Sequence, residues 1–198
     1  MIHHISKRDT VGTWNDLFSI EEINQILDIG KSLDSSKGVL GVHGNNREAP
    51  SEVRSSDVSF IYRDDTTNWI FQRYDGAINR LNSHLFNVDV NPLTSLQFTT
   101  YHGSGDHYEW HWDMQLAPEP NTCEIVQPRK ISIVTQLSDP DDYEGGVLEL
   151  APCGQIFDIP KEKGSTVVFL SFVNHRVTPV TSGTRYSLVG WCEGPDWR

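Results

Sequence analysis

The chain has 198 residues and a formal net charge of −11, with 16 lysines and arginines against 27 aspartates and glutamates. A chain of this length predicts one domain, residues 1–198, with a core large enough to need no disulfides. Such an acidic balance repels polyanions, so we predict no nucleic-acid partner.

The cysteines and the apolar runs bear on where the protein works. Cys123, Cys153 and Cys192 are too few and too scattered for a disulfide framework or a cysteine-based zinc site. The N-terminus lacks the apolar core of a signal peptide, and no apolar run is long enough to span a bilayer. We therefore predict reduced thiols, a cytoplasmic location and no membrane partner; the sequence does not indicate the oligomeric state.

Residues 1–92 predict a helical support region that contains a strand. Ser19 and Glu22 have the spacing of a capping box, and apolar residues follow at helical spacing. A first helix is therefore predicted from about residue 20 to residue 33. Residues 51–62 then show a strand-like pattern.

A second helix is predicted after the run Asp-Asp-Thr-Thr at residues 64–67. Its apolar residues, from Ile70 to Leu85, lie on one face of the helix. A single apolar face is typical of a helix that packs against a sheet.

Residues 93–198 change to short β-branched or aromatic runs separated by Gly, Pro and Asp turns. These runs are residues 96–101, 131–137, 147–150, 166–170, 175–180 and 186–191. They predict a closed or sandwiched antiparallel sheet, and so an α+β fold that is mainly β. The polar, Pro-rich segment 118–128 is interpreted either as a surface loop or as a lid.

His111 and Asp113 carry the chemistry that this sequence predicts. If residues 108–114 are extended, the two side chains share a face and can bind one ion. A third ligand must come from far along the chain, and His175 is the best candidate because a second β-rich run follows it. Two histidines and one carboxylate that leave the opposite positions open form the facial triad of non-haem Fe(II) oxygenases.

Arg185 follows His175 in the C-terminal motif Pro-Val-Thr-x-Gly-x-Arg at residues 179–185. A planar guanidinium is suited to hold a carboxylate by two parallel hydrogen bonds. With His111-x-Asp113 and His175, this motif resembles the 2-oxoglutarate/Fe(II) dioxygenases of the prolyl 4-hydroxylase type, and most closely their bacterial PKHD-type hydroxylase branch. The segment 137–146 is another specific part of the resemblance.

The resemblance implies a fold, a metal and a co-substrate. The fold is a double-stranded β-helix in residues 93–198, a cupin-like jelly roll whose mouth holds the metal and which the N-terminal helices buttress. The metal is Fe(II), bound by His111, Asp113 and His175. The co-substrate is 2-oxoglutarate, anchored at its distal carboxylate by Arg185, and the family admits ascorbate as a reductant.

Three further residues are implied as co-substrate contacts. Tyr101 corresponds to a family tyrosine close to the co-substrate, although a core aromatic is nearly as good an interpretation. Ser187 would face the same side of a strand as Arg185. Gln136 stands where some prolyl hydroxylases carry a carboxylate-binding tyrosine, which is a departure from the family pattern.

Other residues are candidate substrate contacts or rival ligands. The aromatic residues Tyr108, Trp110 and Trp112 could line a peptide groove or belong to the core, and Arg54 and Arg129 could bind substrate or lie exposed on the surface. The remaining nearby histidines are predicted to be outside the metal site: His84, His102 and His107.

The resemblance implies an oxidoreductase that hydroxylates an aliphatic C–H bond, on a prolyl residue of a peptide or protein. A hydroxylase of a free amino acid or another small molecule would use the same metal site and stays open as an alternative. A non-catalytic jelly-roll binding module is disfavoured because every expected ligand is present.

Overall fold

The computed structural model describes residues 2–4, 10–40, 47–48, 51–114 and 127–197. In these segments the α-helices are α1, Ile20–Ser32, and α2, Asn68–Leu81, which continues into the π-helical turn Asn82–Phe86. Two short 3-10 helices are Pro140–Asp142 and Pro152–Gly154. The strands of the first half are β1 Ile2–His4, β2 Val11–Trp14, β3 Ser36–Lys37, β4 Val39–Leu40, β5 Arg47–Glu48, β6 Arg54–Ser55 and β7 Asp57–Tyr62. Those of the second half are β8 Ser95–His102, β9 His107–His111, β10 Arg129–Gln136, β11 Tyr143–Gly145, β12 Leu148–Leu150, β13 Phe157–Asp158, β14 Thr166–Leu170, β15 His175–Val177 and β16 Val180–Glu193.

Both helices begin close to their predicted residues. The Ser19 backbone N–H donates to Glu22 Oε2 at 2.8 Å, and the Glu22 N–H donates to Ser19 Oγ at 3.2 Å. This reciprocal pair satisfies two donors that the first turn of α1 would otherwise leave unpaired. Helix α2 buries one face, which confirms its predicted packing role; the buried residues are Ile70, Phe71, Tyr74, Ala77, Ile78 and Leu81.

The strands form two large sheets whose inner faces contact each other, and β4 and β5 pair as a separate two-stranded sheet. The larger sheet has the order β1-β2-β14-β10-β16-β8-β7-β3, with β11 paired to part of β16, and the smaller has the order β13-β12-β15-β9-β6. Every pairing in both sheets is antiparallel. The prediction of a mainly β fold with packed antiparallel sheets is confirmed.

Strand β10 shows which face of the larger sheet packs on the helices and which face lines the metal centre. Side chains alternate along a strand, so the residues of β10 divide between the two faces of the larger sheet. On one face Thr135 Oγ1 accepts a hydrogen bond from the Tyr74 hydroxyl of α2 at 2.8 Å. On the other face Ser132 Oγ donates to Asp113 Oδ2 at 2.7 Å. One face of β10 therefore packs on the helices, and the other lines the site.

The N-terminal region contributes more strands than the sequence predicted. Strand β2 pairs with β14, and β1 pairs with β2, at one end of the larger sheet. Strands β7 and β3 form its other end, and β6 joins the smaller sheet. The division at residue 92 into a support region and a catalytic core stays a prediction.

Two findings concern the remaining predictions on segments. No helix in the described ranges is long and apolar enough to cross a membrane. Of the segment 118–128, interpreted as a loop or a lid, residues 118–126 lie outside the described residues, and so does Cys123.

Candidate metal centre and adjoining cavity

Strands β9 and β15 bring the three predicted ligands together. They are antiparallel neighbours in the smaller sheet, and His111 is the register partner of His175. Strand β9 ends at His111, and Asp113 is then positioned by its backbone N–H, which donates to the Ser171 carbonyl at 2.9 Å. One ligand atom from each of the three residues lies within 4.8 Å of the others.

Both histidines direct the same nitrogen towards the shared centre. His111 Nδ1 lies 2.7 Å from the Glu109 carbonyl and His175 Nδ1 lies 3.0 Å from the Val173 carbonyl. A proton on each Nδ1 satisfies these carbonyls and leaves the Nε2 lone pair available. The two Nε2 atoms lie 3.8 Å and 3.5 Å from the Asp113 carboxylate. The three side chains thus present two nitrogens and one oxygen to a single point.

The protonation states of these groups favour metal binding. Burial, together with the neighbouring His175, lowers the pKa of His111 to about 3. Burial alone would raise the pKa of Asp113, but the two imidazoles, Arg129 and the Ser132 hydroxyl hold this pKa below its ordinary value. Metal ligation requires a neutral imidazole and an ionised carboxylate, which are the forms that these directions favour at neutral pH.

Aromatic rings line one side of the metal centre. The Tyr108 ring stacks on His111 with centroids 3.5 Å apart and an interplanar angle of 15°. The Arg54 guanidinium lies 4.6 Å from the Tyr108 ring, and the Phe169 ring packs edge-on to His175 at 4.8 Å. Burial raises the pKa of Tyr108 to about 12, so the phenol keeps its proton at neutral pH.

A β-bulge explains why Tyr108 faces His111. On β15 the register partners are His175 and Val177, whereas on β9 they are His111 and Tyr108, so β9 carries one extra residue between them. The extra residue breaks the alternation of side chains.

A cavity lies between the two sheets and is lined by residues of β10, β12 and β16, among others. Ser132, which contacts Asp113, is followed on the same face of β10 by Val134 and Gln136, both of which line the cavity. The side chains around it are Val134, Gln136, Tyr143, Leu148, Ile159, Pro160, Lys161, Ser165 and Arg185, with Gly146 completing the wall. At about 3.3 Å per residue, Ser132 and Gln136 lie roughly 13 Å apart along the strand. The cavity therefore extends away from the metal centre along β10.

Arg185 is the most informative group in this cavity. It is only 2% exposed, yet its Nε has no hydrogen-bond partner among the described residues. Ser165 Oγ, which lines the same cavity, is also buried without a described partner. Buried polar atoms are nearly always paired, because each unpaired one costs about 1–3 kcal/mol. Two such atoms at one cavity indicate a polar ligand, and a carboxylate suits a guanidinium.

The other predicted co-substrate residues lie around Arg185. Ser187 Oγ accepts a hydrogen bond from Arg185 Nη1 at 3.3 Å, and the Tyr101 ring centroid lies 5.3 Å from the guanidinium carbon. Gln136 Nε2 donates to the Tyr143 hydroxyl at 2.9 Å. Sequence reasoning missed Tyr143, although it lies within the segment 137–146 that supports the resemblance. The signal that could have identified Tyr143 was the absence of a tyrosine at position 136.

The candidate substrate contacts fall in different places. Trp112 is 60% exposed, so its interpretation as a core residue is wrong. Arg54 is only 8% exposed, so its interpretation as an exposed surface arginine is also wrong. Arg129 is half-buried, its guanidinium lies 4.0 Å from the Trp191 ring, and its Nε has no partner in the described part of the chain.

Trp110 lies on the other side of the smaller sheet. The guanidinium of Arg176 packs over its ring at 4.9 Å. Because Arg176 follows His175 directly in β15, its side chain points to the opposite face from the metal centre.

The rival histidines make other contacts: His107 Nδ1 lies 2.9 Å from the Gly105 carbonyl, and His102 Nε2 lies 3.1 Å from Asp57.

Comparisons with known proteins show which family the second half of the chain matches. The model of the 2OG-Fe(II) oxygenase superfamily matches residues 96–193, which include the three ligands and Arg185. A PKHD-type hydroxylase of Azoarcus sp. (strain BH72) is 40% identical over 114 residues, which cover 56% of this chain and 48% of that protein. The chain therefore spans about half the length of this relative.

Solved structures share the fold. A prolyl-4-hydroxylase of Pseudomonas putida has a TM-score of 0.72 at 17% identity, with 94% of each chain covered. A prolyl hydroxylase of Trichoplax adhaerens, in complex with a peptide fragment of the hypoxia inducible factor oxygen degradation domain, has a TM-score of 0.74 at 22% identity, with 94% of this chain and 84% of that chain covered. The predicted cupin-like fold is confirmed by these likenesses.

The family implies Fe(II) and 2-oxoglutarate, and the residues of this chain fit both. His111, Asp113 and His175 offer the donor set of a non-haem iron site. The unpaired buried Arg185 Nε lies at the adjoining cavity, where a dicarboxylic co-substrate could reach it. On these grounds the chain belongs to the 2OG-Fe(II) oxygenase superfamily.

Proposed function

We propose that this chain is an Fe(II)- and 2-oxoglutarate-dependent dioxygenase that hydroxylates an aliphatic C–H bond on a prolyl residue of a peptide or protein. The observation that carries the proposal is the His111, Asp113 and His175 set beside a cavity that holds the unpaired Arg185 Nε. Three ligands leave coordination positions open, whereas a structural zinc site is normally closed by four.

When bound, Fe(II) and 2-oxoglutarate would supply the oxidation, in which one oxygen atom of O₂ enters the C–H bond to give a hydroxyl group, the other enters succinate, and the carboxyl group that 2-oxoglutarate loses leaves as CO₂. The Nε2 atoms of His111 and His175 and the carboxylate of Asp113 would hold the metal. Ser132 fixes the carboxylate by its hydrogen bond of 2.7 Å to Oδ2. The Nδ1 contacts of both histidines fix the orientation of each ring, as partners of metal ligands commonly do.

Arg185 would hold the distal carboxylate of the co-substrate. Its Nη1 bond to Ser187 and the nearby Tyr101 ring restrict the guanidinium. Burial raises the pKa of Tyr101, so its hydroxyl keeps a proton that it can donate to a bound carboxylate. The apolar side chains of Val134 and Leu148 line the cavity and exclude water from the co-substrate.

The surroundings of the metal centre support a peptide substrate. Arg129 has an unpaired buried Nε that could donate to a backbone carbonyl, and Arg54 packs over Tyr108 beside His111. The exposed Trp112 follows His111 directly. A proline-rich peptide is already in the polyproline II form, so it loses little entropy when it binds to aromatic surfaces. The peptide complex of the Trichoplax enzyme agrees with this class of substrate.

The substrate proposal is tested by comparing three acceptors under identical conditions with Fe(II), 2-oxoglutarate and ascorbate, which we propose as the reductant. Succinate formation and the gain of one oxygen are measured on a proline-rich peptide, a proline-free peptide of equal length and free L-proline. We expect product only on the proline-rich peptide. Hydroxylation of free proline with an inert peptide would overturn the peptide assignment and favour an amino-acid hydroxylase.

The metal site is tested by titrating Mn(II), a redox-inert substitute, into single variants. His111→Ala, Asp113→Ala and His175→Ala should each strongly weaken Mn(II) binding and stop turnover. His107→Ala is the matched control, because His107 contacts the Gly105 carbonyl and lies outside the cluster of ligand atoms. An unchanged Mn(II) affinity in His175→Ala would remove that residue from the site.

A further inference from the structure

We infer that Tyr143, Ser165 and Lys161 complete the subsite for the distal carboxylate of the co-substrate, with Lys161 as a second cation beside Arg185. The inference rests on the proposed function, since it assigns contacts to 2-oxoglutarate. Neither Lys161 nor Ser165 belongs to a sequence motif that carries the resemblance. Their assignment comes from the cavity that they share with Arg185.

Tyr143 provides the phenol that position 136 lacks. Its hydroxyl accepts a hydrogen bond from Gln136 Nε2 at 2.9 Å, and the side chain is buried. Burial raises the pKa of Tyr143, so the hydroxyl keeps its own proton. No acceptor for that proton is found within the described ranges, and a carboxylate in the cavity would supply one.

Gly146 lets Tyr143 and Arg185 approach the same point. A Cβ at position 146 would lie 2.9 Å from Arg185 Cδ and 3.0 Å from Tyr143 Cε2. The backbone there has φ of 57°, a conformation that glycine adopts readily. The missing side chain therefore leaves room for the phenol and the guanidinium to face one ligand.

Ser165 is fixed by its backbone on the cavity wall. Its N–H donates to the Glu162 carbonyl and its carbonyl accepts from the Gln136 N–H, both at 2.9 Å. The hydroxyl is buried without a partner in the described part of the chain. A small donor held in this way is suited to a ligand oxygen, because binding requires little reorganisation.

Lys161 adds the second positive charge. Its ammonium lies 4.2 Å from the centroid of the Tyr143 ring, and the side chain is half-buried. Among the described residues no carboxylate forms an ion pair with it. A cation–π contact of this kind would hold the ammonium next to the phenol. The charge is then available to a ligand carboxylate in the same cavity.

Two cations that line the same cavity predict a selectivity for dicarboxylates. A 2-oxo acid with a single carboxylate would leave both Arg185 and Lys161 without a carboxylate partner, which disfavours its binding. Arg185 supplies a planar fork and Lys161 a point charge, so the two contacts differ in geometry. Removal of Lys161 should therefore weaken 2-oxoglutarate without abolishing it.

The test measures binding of 2-oxoglutarate to the Mn(II)-loaded protein by isothermal titration, with no turnover. A charge-assisted contact is worth about 1.5–3 kcal/mol, so Lys161→Met should raise the Kd roughly 10- to 100-fold. Tyr143→Phe, which removes only the hydroxyl, should raise it about tenfold. Lys163→Met is the matched control, because the Lys163 ammonium bonds to Asn24 at 2.9 Å, and its Kd should stay within about twofold of wild type.

A second measurement separates a contact from a loss of structure. The ratio of the Kd for 2-oxobutanoate to that for 2-oxoglutarate should shrink in Lys161→Met, while the Mn(II) affinity without co-substrate stays unchanged. A Kd and a selectivity ratio equal to wild type in both Lys161→Met and Tyr143→Phe would overturn the inference alone. Failure of the wild-type protein to bind 2-oxoglutarate would instead overturn the proposed function.

Discussion

Ser132→Ala isolates the contribution of one hydrogen bond to the metal centre. Ser132 is fully buried, and its hydroxyl lies 2.7 Å from Asp113 Oδ2 and 3.0 Å from Ser171 Oγ. A hydrogen bond to a charged group contributes about 1.5–3 kcal/mol. Loss of a partner that orients a metal ligand typically costs roughly 10- to 100-fold in affinity, or about 1.4–2.7 kcal/mol. The two ranges overlap, so we expect the Kd for Mn(II) to rise by 10- to 100-fold.

The assay is isothermal titration of Mn(II) into metal-free protein at constant pH. Thr135→Val is the matched control, because it removes a buried hydroxyl from the opposite face of β10 and leaves Tyr74 its second contact, the Leu188 carbonyl at 3.1 Å. We expect this variant to lose stability towards urea but to keep its Mn(II) affinity. A Kd for Ser132→Ala within twofold of wild type, in a folded protein, would refute the assignment of Ser132 as a positioning residue.

Three other perturbations test the neighbouring parts of the site. Arg185→Ala should weaken 2-oxoglutarate binding to the Mn(II)-loaded protein at least tenfold and leave Mn(II) binding nearly intact. Arg185→Lys should recover only part of the 2-oxoglutarate affinity, because a point charge cannot form the forked contact. Equal Kd values for 2-oxoglutarate in wild type and Arg185→Ala would contradict the role of Arg185. Gly146→Ala should lower the free energy of urea unfolding by at least about 1 kcal/mol and also weaken 2-oxoglutarate, since its Cβ would meet Arg185 and Tyr143 at a φ of 57°. The pKa of His111 is about 3 in the folded protein and about 6.5 for an ordinary histidine, so the unfolded state binds more protons between these two pH values. The metal-free protein should therefore lose stability as the pH falls from about 6.5. The loss in the free energy of unfolding is at most about 1.4 kcal/mol per pH unit. Urea unfolding at several pH values measures this slope, and an equal slope in His111→Gln would show that another group causes it.

Local signals in the sequence were sufficient for the elements that depend on local chemistry. Ser19 and Glu22 form the reciprocal cap that their spacing predicts, and α2 buries the apolar face that its periodicity predicts. Five of the six runs predicted in the second half agree with β8, β10, β12, β14 and β15 to within three residues, and β14 agrees at both ends. Strand β16 begins six residues before its predicted run, and β9, β11 and β13 were not among the predicted runs. In each case a short window of sequence contains the pattern that predicts the element.

Elements that depend on distant partners could not be predicted in this way. Strand β2 is Val-Gly-Thr-Trp, which is too short to give a pattern, and its pairing with β14 stabilises it as a strand. The bulge in β9 arises from its register with β15, so alternation could not show that Tyr108 stacks on His111.

The residues of the site also differ in whether the sequence alone could reveal them. His111, Asp113, His175 and Arg185 were accessible to sequence reasoning because their residue types and order match a known chemical pattern. Lys161 was not accessible, because it lies in a loop and meets Tyr143 only in the folded chain.

The direct register of His111 with His175 has a consequence for how the molecule opens. The two strands lie far apart in sequence and form the centre of the smaller sheet, so their association closes a long loop at an entropic cost. An ion held from both sides would act as a reversible cross-link at that point, which raises the free energy of local opening in proportion to the logarithm of metal concentration. Amide hydrogen exchange in β9 and β15 should therefore slow on metal addition, while exchange in α2 changes little. The metal concentration would in this way set how often β9 and β15 separate.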